Sequence, residues 1–284
     1  MTRMAAEILR YAAFTDDPLR GNPAGVVLDA SGLSEAEMQA IAADVGYSET
    51  AFTIPGDDPI ATRYFSPQAE VDFCGHATIA LAVATAERSG PGPLSLDTPA
   101  GRIDVDVVAG PSGPVATLRS VPTSTRAMAD DELDALLSHL RWSRSDLDDG
   151  YPPHVAFGGV HHPVLAVRTR ERLADLDYDY DGLLSLMTDR GWTTIQLYWF
   201  EDEQTIHARN PFPVGGVVED PATGAAAAAL GGYLRALGFV TRPTRLRIIQ
   251  GEDMGRRSEL LVDVDPAQPT VRVSGGAVRI PTGA

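Results

Sequence analysis

The chain has 284 residues, 44% hydrophobic and 22% charged, and its 39 acidic against 23 basic residues leave a net charge of −16. That length suits one large domain or two of ordinary size, with the balance of a soluble globular protein. The acidity, with no Lys/Arg cluster, argues against nucleic acids and anionic membranes as partners; a small carboxylate remains possible, because a helix N-terminus binds one without net positive charge. In chain order, "AEILRYAAFT" and "GNPAGVVLDA" predict strands, and "LSEAEMQAIAADVG" predicts a helix with Ser34 and Glu37 as a capping box and Gly46 as its stop. "ETAFTI", "ATRYFS", "LSLDT" and "GRIDVDVV" read as short strands, and "CGHATIALAVATAERSG" as a helix apolar around nearly its whole circumference, hence buried.

"RSVPTSTR" reads as a linker. Beyond it, "ADDELDALLSHL" and "YDGLLSLMTDRG" predict helices, with "VLAVRT" a strand between them. "TTIQLYWF" and "TIHARN" predict paired strands, "PATGAAAAALGGYLRALG" a second alanine-rich helix, and "RLRIIQG", "SELLVDVD" and "TVRVSGGAVRI" closing strands. The two alanine-rich helices align at a constant offset of 149 residues, with Gly75 on Gly224, Ala77 on Ala226, Ala80 on Ala229 and Leu81 on Leu230. An internal duplication follows: two pseudo-equivalent domains, each wrapping strands around one buried helix. The expected fold class is α+β, two pseudo-symmetric domains, each a curled β-sheet or barrel around a central helix. The expected boundaries are residues 1–120 plus a closing strand in 266–284, and residues 121–265.

A single cysteine excludes an internal disulfide and fits a reducing compartment. No stretch approaches the ~20 apolar residues of a membrane span, and the start lacks the apolar run of a signal peptide, so the expected location is cytoplasmic. Small residues at the first turn of each alanine-rich helix leave free N–H groups open to a carboxylate; the plainer reading is a tight strand-to-helix turn. A two-base racemase needs a thiol on each face of the substrate carbon. The offset places Thr223 opposite Cys74, and threonine is too weak an acid, so Cys74 reads as a buried small residue. His76 either exchanges protons or merely caps its helix, and Asp220 reads as an N-cap or as a group binding a substrate amine or hydroxyl. Glu49, flanked by Tyr47, Ala51 and Phe52, is a candidate acid/base, although a lone glutamate is more often a solvated loop carboxylate. His161 and His162 read as surface residues, because no ligand stands at metal spacing. No nucleotide, flavin or metal motif occurs, so no cofactor and no metal are expected.

"TDDPLRGNPAGVV", "SETAF", "RYFSPQAEVDFCGHATIALA", "EDPATGAAAAALGGYL" and "QGEDMGRRS" together resemble the PhzF-like isomerases of phenazine biosynthesis. The resemblance implies the diaminopimelate-epimerase-like fold, a homodimer and cofactor-free chemistry. The founding activity it implies is isomerisation of trans-2,3-dihydro-3-hydroxyanthranilate, with Glu49 as proton shuttle. It further implies substrate binding by His76 and Asp220, and by the backbone around Gly75, Gly224 and Ala225. Ala225 replaces a serine frequent in the family, and Arg257 stands where proline is common, which leaves the substrate open. Two function classes remain: an isomerase or epimerase of a small carboxylate-bearing metabolite, or a non-catalytic dimeric binding protein of the same fold.

Overall fold

A computed structural model describes residues 6–56 and 58–281. The chain divides into two compact units, Met1–Leu118 with Ser274–Ala284, and Arg119–Val273.

The first unit contains β1 (Leu9–Ala13), β2 (Asn22–Val27), α1 (Glu35–Val45), β3 (Glu49–Ile54), β4 (Ile60–Phe65), β5 (Glu70–Val71), α2 (Gly75–Ser89), β6 (Pro93–Thr98), β7 (Gly101–Gly110) and β8 (Gly113–Arg119). Strand order β1-β2-β3-β4-β6-β7-β8 continues to β16 (Val271–Arg279), and β16 pairs back onto β1 with Tyr11 opposite Arg279 and Ala13 opposite Ala277. These eight strands therefore close a ring, with the two-residue β5 lying off it on β4. Helix α2 packs against β1, β2, β3 and β7, and from His76 to Ala84 every residue is buried. Alanines allow this, since a helix that presents little more than Cβ atoms fits within a small barrel. Helix α1 packs on the other face, where Met38 and Ala42 meet Val27, Phe52 and Phe65. Its start is the expected one: Ser34 accepts from the Glu37 N–H, the Glu37 carboxylate accepts from the Ser34 N–H at 2.8 Å, and Gly46 ends the helix with φ +71°.

The second unit contains β9 (Ser124–Ala127), α3 (Asp130–Leu140), β10 (His154–Phe157), β11 (His161–Ala166), α4 (Arg170–Ala174), α5 (Tyr180–Arg190), β12 (Gln196–Phe200), β13 (Thr205–Arg209), α6 (Gly224–Ala236), β14 (Thr244–Gln250) and β15 (Ser258–Val264). Its strands run β15-β14-β13-β12-β11-β10-β9. Helix α6 packs against β9, β10, β11, β12 and β15, with Ala226–Leu234 buried. A Cβ on Gly158, in the β10–β11 turn, would lie 2.5 Å from the Ala225 carbonyl, so only glycine admits so close an approach to the first turn of α6. On another layer α3 and α5 cover Leu165, Ile195 and Leu197 with Leu136, Leu140, Leu183 and Met187. Each unit is thus a set of strands around one alanine-rich helix, the α+β architecture expected from the duplicated pattern.

Three readings need correction. The stretch taken as a linker holds β9, whose Thr125 hydroxyl lies 3.0 Å from His154 Nδ1 of the neighbouring strand; too few apolar residues mark it. Strands β8 and β10 and helix α4 were likewise not expected, being short or rich in Gly, Pro and Arg. His162 is not a surface residue but fully buried, because it faces inward from β11 while His161 faces out.

Candidate active site

Glu49 opens β3 directly after α1 ends at Gly46, and β3 runs parallel to β2 with Glu49 opposite Ala24. Side chains alternate along a strand, so Glu49 shares its face with Ala51, opposite the Phe52 face that packs on α1. That face looks onto the start of α2. There Cys74 is the N-cap and His76 lies in the first turn. Cys74 Sγ donates to Glu49 Oε2 at 3.4 Å, and His76 Nε2 lies 3.4 Å from the same oxygen. The imidazole also has its Nδ1 at 3.4 Å from Sγ, and its Nε2 at 3.3 Å from the Ser48 hydroxyl. The Glu49 side chain is 18% exposed and that of His76 only 7%, so the glutamate keeps more access to solvent than the imidazole beside it.

This start of α2 is anchored from behind. Thr78 donates its hydroxyl to the Cys74 carbonyl at 2.7 Å, so Tyr64, 2.7 Å away, donates to Thr78. Burial drives the Tyr64 phenol well above its usual range and keeps it a neutral donor. Cys74 makes no side-chain cap hydrogen bond to the helix, and a Cβ on Gly75 would meet nothing within 4 Å. The first turn of α2 therefore fronts open space, as a carboxylate-binding helix start requires. The reading of Cys74 as a packed small residue is incomplete: it is buried, but its sulfur touches both candidate proton-handling groups.

In the second unit Asp220 is buried and does not cap α6; Thr223 is the N-cap, and its hydroxyl donates to Asp220 Oδ2 at 2.5 Å. Gln250, at the end of β14, ties this turn together. Its Nε2 donates to the Asp220 carbonyl at 2.7 Å and to Thr223 Oγ1 at 3.0 Å, while its Oε1 accepts from the Thr223 N–H at 3.3 Å. The next residue, Gly251, has φ +73°, and a Cβ there would lie 2.8 Å from the Pro221 carbonyl and 2.6 Å from that of Arg256. Beside Asp220, Glu219 is held by Arg209 in a buried ion pair with contacts of 2.6, 3.0 and 3.2 Å. Sequence reading missed Gln250, Arg209 and Glu219. Glu219 opens the "EDPATG" block and Gln250 the "QGEDMGRRS" block, which is their signal, while Arg209 is marked only as a polar residue ending an apolar strand. Gly224 likewise fronts open space, so the first turn of α6, with Ala225 in it, repeats the arrangement of α2. Arg257 lies 3.5 Å from Glu252 Oε1 and faces that acidic group.

Among the described residues one cluster of three potential ligand side chains has donor atoms all within 4.8 Å of one another: Glu49, Cys74 and His76. No helix of the described residues is long and apolar enough to cross a membrane.

Residues 11–283 match the family described as "Phenazine biosynthesis-like protein". The chain is 30% identical over 280 residues to an uncharacterised isomerase of Bacillus subtilis strain 168, covering 95% of this chain and 94% of that one. It is also 30% identical over 282 residues to the trans-2,3-dihydro-3-hydroxyanthranilate isomerase of Pseudomonas chlororaphis, covering 95% and 96%. Among solved structures, a phenazine biosynthesis protein of the PhzF family from Bacillus anthracis superposes with a TM-score of 0.86 at 26% identity, covering 97% and 98%. With the family matched over residues 11–283, curated isomerases 30% identical over nearly their whole length and a PhzF-family structure superposing at 0.86, the chain belongs to the PhzF-like isomerase family.

Proposed function

We propose that the protein isomerises a small carboxylate-bearing metabolite by acid/base proton transfer, with Glu49 as the proton carrier. One observation carries this reading: Glu49 Oε2 lies 3.4 Å from both His76 Nε2 and Cys74 Sγ on a side chain that still reaches solvent. Proton transfer at carbon needs a carboxylate that is oriented but free to meet the substrate, and the Cys74 thiol donating to one oxygen with the His76 imidazole beside it provides the orientation. His76 binds a polar group of the substrate, and the free N–H groups that open α2 at Gly75 hold its carboxylate. The reaction needs no cofactor, because a proton that leaves one carbon and returns at another changes no oxidation state overall. The relative from Pseudomonas chlororaphis makes trans-2,3-dihydro-3-hydroxyanthranilate the first substrate to try. A cytoplasmic homodimer in a biosynthetic route completes the proposal, and light scattering tests the dimer.

The test is solvent-deuterium incorporation, followed by mass spectrometry, over that compound and a panel of small carboxylates. Wild-type protein incorporates deuterium into one of them. Glu49→Gln keeps the side-chain shape and abolishes exchange by at least a thousandfold, within the ~10²–10⁴ contributed by a positioned acid/base group. Exchange by Glu49→Gln at the wild-type rate would refute the assignment. Cys74→Ala, which loses one hydrogen bond to the carboxylate, slows exchange by about tenfold or less, the worth of ~1.4 kcal/mol.

A further inference from the structure

We propose that Glu49, Cys74 and His76 form a binding site for a thiophilic divalent cation, Zn²⁺, whose occupancy blocks the proton carrier. Among the described residues these three side chains bring a ligand atom each within 4.8 Å of one another. Sγ to Oε2 and Nε2 to Oε2 each measure 3.4 Å, and Sγ to Nε2 measures 3.9 Å. Zinc bonds of about 2.0–2.3 Å at tetrahedral angles place neighbouring donors about 3.3–3.6 Å apart. Because Sγ also lies 3.4 Å from Nδ1, the imidazole must turn its Nε2 lone pair towards an ion shared with the sulfur.

The donor chemistry fits as well as the spacing. Sulfur, imidazole nitrogen and carboxylate are the three zinc ligand types, and the sulfur selects against Mg²⁺ and Ca²⁺. On binding, the thiol releases its proton to solvent as the Zn–S bond forms. Thiolate and carboxylate then balance the two positive charges, and nothing is oxidised or reduced. Three protein donors leave a fourth position for water or an incoming carboxylate, the arrangement of open zinc sites. Cys74 and His76 are both buried, so an ion held there is shielded from competing water. The remaining histidine–carboxylate group with two short contacts, His207 between Glu201 at 2.9 Å and Glu252 at 3.1 Å, offers its two partners to opposite ring nitrogens and cannot chelate in this way.

Occupancy of the trio holds whatever the substrate is, while the blockade rests on Glu49 as the proton carrier. The full chain, stripped with chelator, is titrated with Co²⁺ and then with Zn²⁺ in competition with a chromophoric chelator. Expected are one ion per chain, a sulfur-to-cobalt charge-transfer band in the near ultraviolet, and at least tenfold weaker Zn²⁺ binding with loss of the band in Cys74→Ser. Glu49→Gln, which removes an anionic ligand without changing volume, weakens Zn²⁺ binding at least tenfold should Cys74→Ser fail to fold. His207→Gln leaves binding unchanged. A wild-type protein without the cobalt–sulfur band, unaltered affinity in both site variants, or loss of binding in His207→Gln would each overturn the proposal. Deuterium exchange is followed in parallel. If Zn²⁺ binds with the band while exchange continues undiminished, the metal site stands, but the blockade and Glu49 as proton carrier are overturned.

Discussion

His162 shows what a single buried polar residue does to the whole protein. Its Nδ1 lies 2.9 Å from Thr194 Oγ1, which donates to Asn210 Oδ1 at 2.8 Å; the imidazole must then be the donor, with its proton on Nδ1. Asn210 continues the chain by donating to Gln196 Oε1 at 2.9 Å, while His162 Nε2 is buried with no hydrogen-bond partner. Burial pushes the imidazole down to about 4 from its ordinary 6.5. The folded state holds it neutral, so its contribution is fully present above pH 6.5 and is lost as pH falls towards 4. The loss amounts to about 2 kcal/mol by pH 5 and about 3 kcal/mol by pH 4. Urea denaturation across that range checks this: the wild-type slope should vanish in His162→Gln even if the variant is less stable overall. A second carboxylate-based window lies lower. Hydrogen bonds from Arg126 hold Glu132 down at about 2, so its stabilisation fades only as pH falls below 4.5. At this scale the sequence was partly legible. Glu49 stood out because apolar neighbours surround a carboxylate. His162 did not, because a histidine pair looks the same whether both rings face solvent or one points inward.

At the scale of the element, the start of α6 depends on residues far from it in sequence. Gly251 holds the end of β14 against the Asp220–Thr223 turn, and a Cβ there would meet two backbone carbonyls, not the far end of a flexible side chain. Gly251→Ala combines a left-handed backbone conformation with backbone overlap, a cost of about 2 kcal/mol or more. The midpoint of thermal unfolding should drop by roughly 5 °C or more, since ~1 kcal/mol moves a chain of this size by about 2–4 °C. A scanning-fluorimetry midpoint equal to wild type would show that this contact carries no strain. The helices themselves were readable. Ser34 and Glu37 announced α1, and the small-residue runs announced α2 and α6 as buried. The supports of the helix starts were not readable, since Gln250 and Tyr64 act through fold-dependent neighbours that no local pattern encodes.

For the whole molecule, β16 decides whether the first barrel exists. It supplies Ala277, Val278 and Arg279 to β1, the Gly276 carbonyl that accepts from the Phe14 N–H at 2.7 Å, and the Ser274 hydroxyl 2.8 Å from Thr117. Ending the chain at Val273 leaves β1 and β8 as unpaired edges around an apolar interior, a template for association. The truncated protein should aggregate, and protease should cut within residues 6–118 before it attacks residues 119–273. A monodisperse truncation with unchanged protection there would show that the ring need not close.

The same strand sets an order in time. During synthesis, residues 9–119 leave the ribosome with seven of their eight barrel strands, but residues 274–279 do not exist until 119–273 have been added. The second unit is continuous in sequence and has all of its own strands before the first barrel has its last. What is made first is therefore finished last, and α2, with its alanine surface, waits in an open shell throughout that interval.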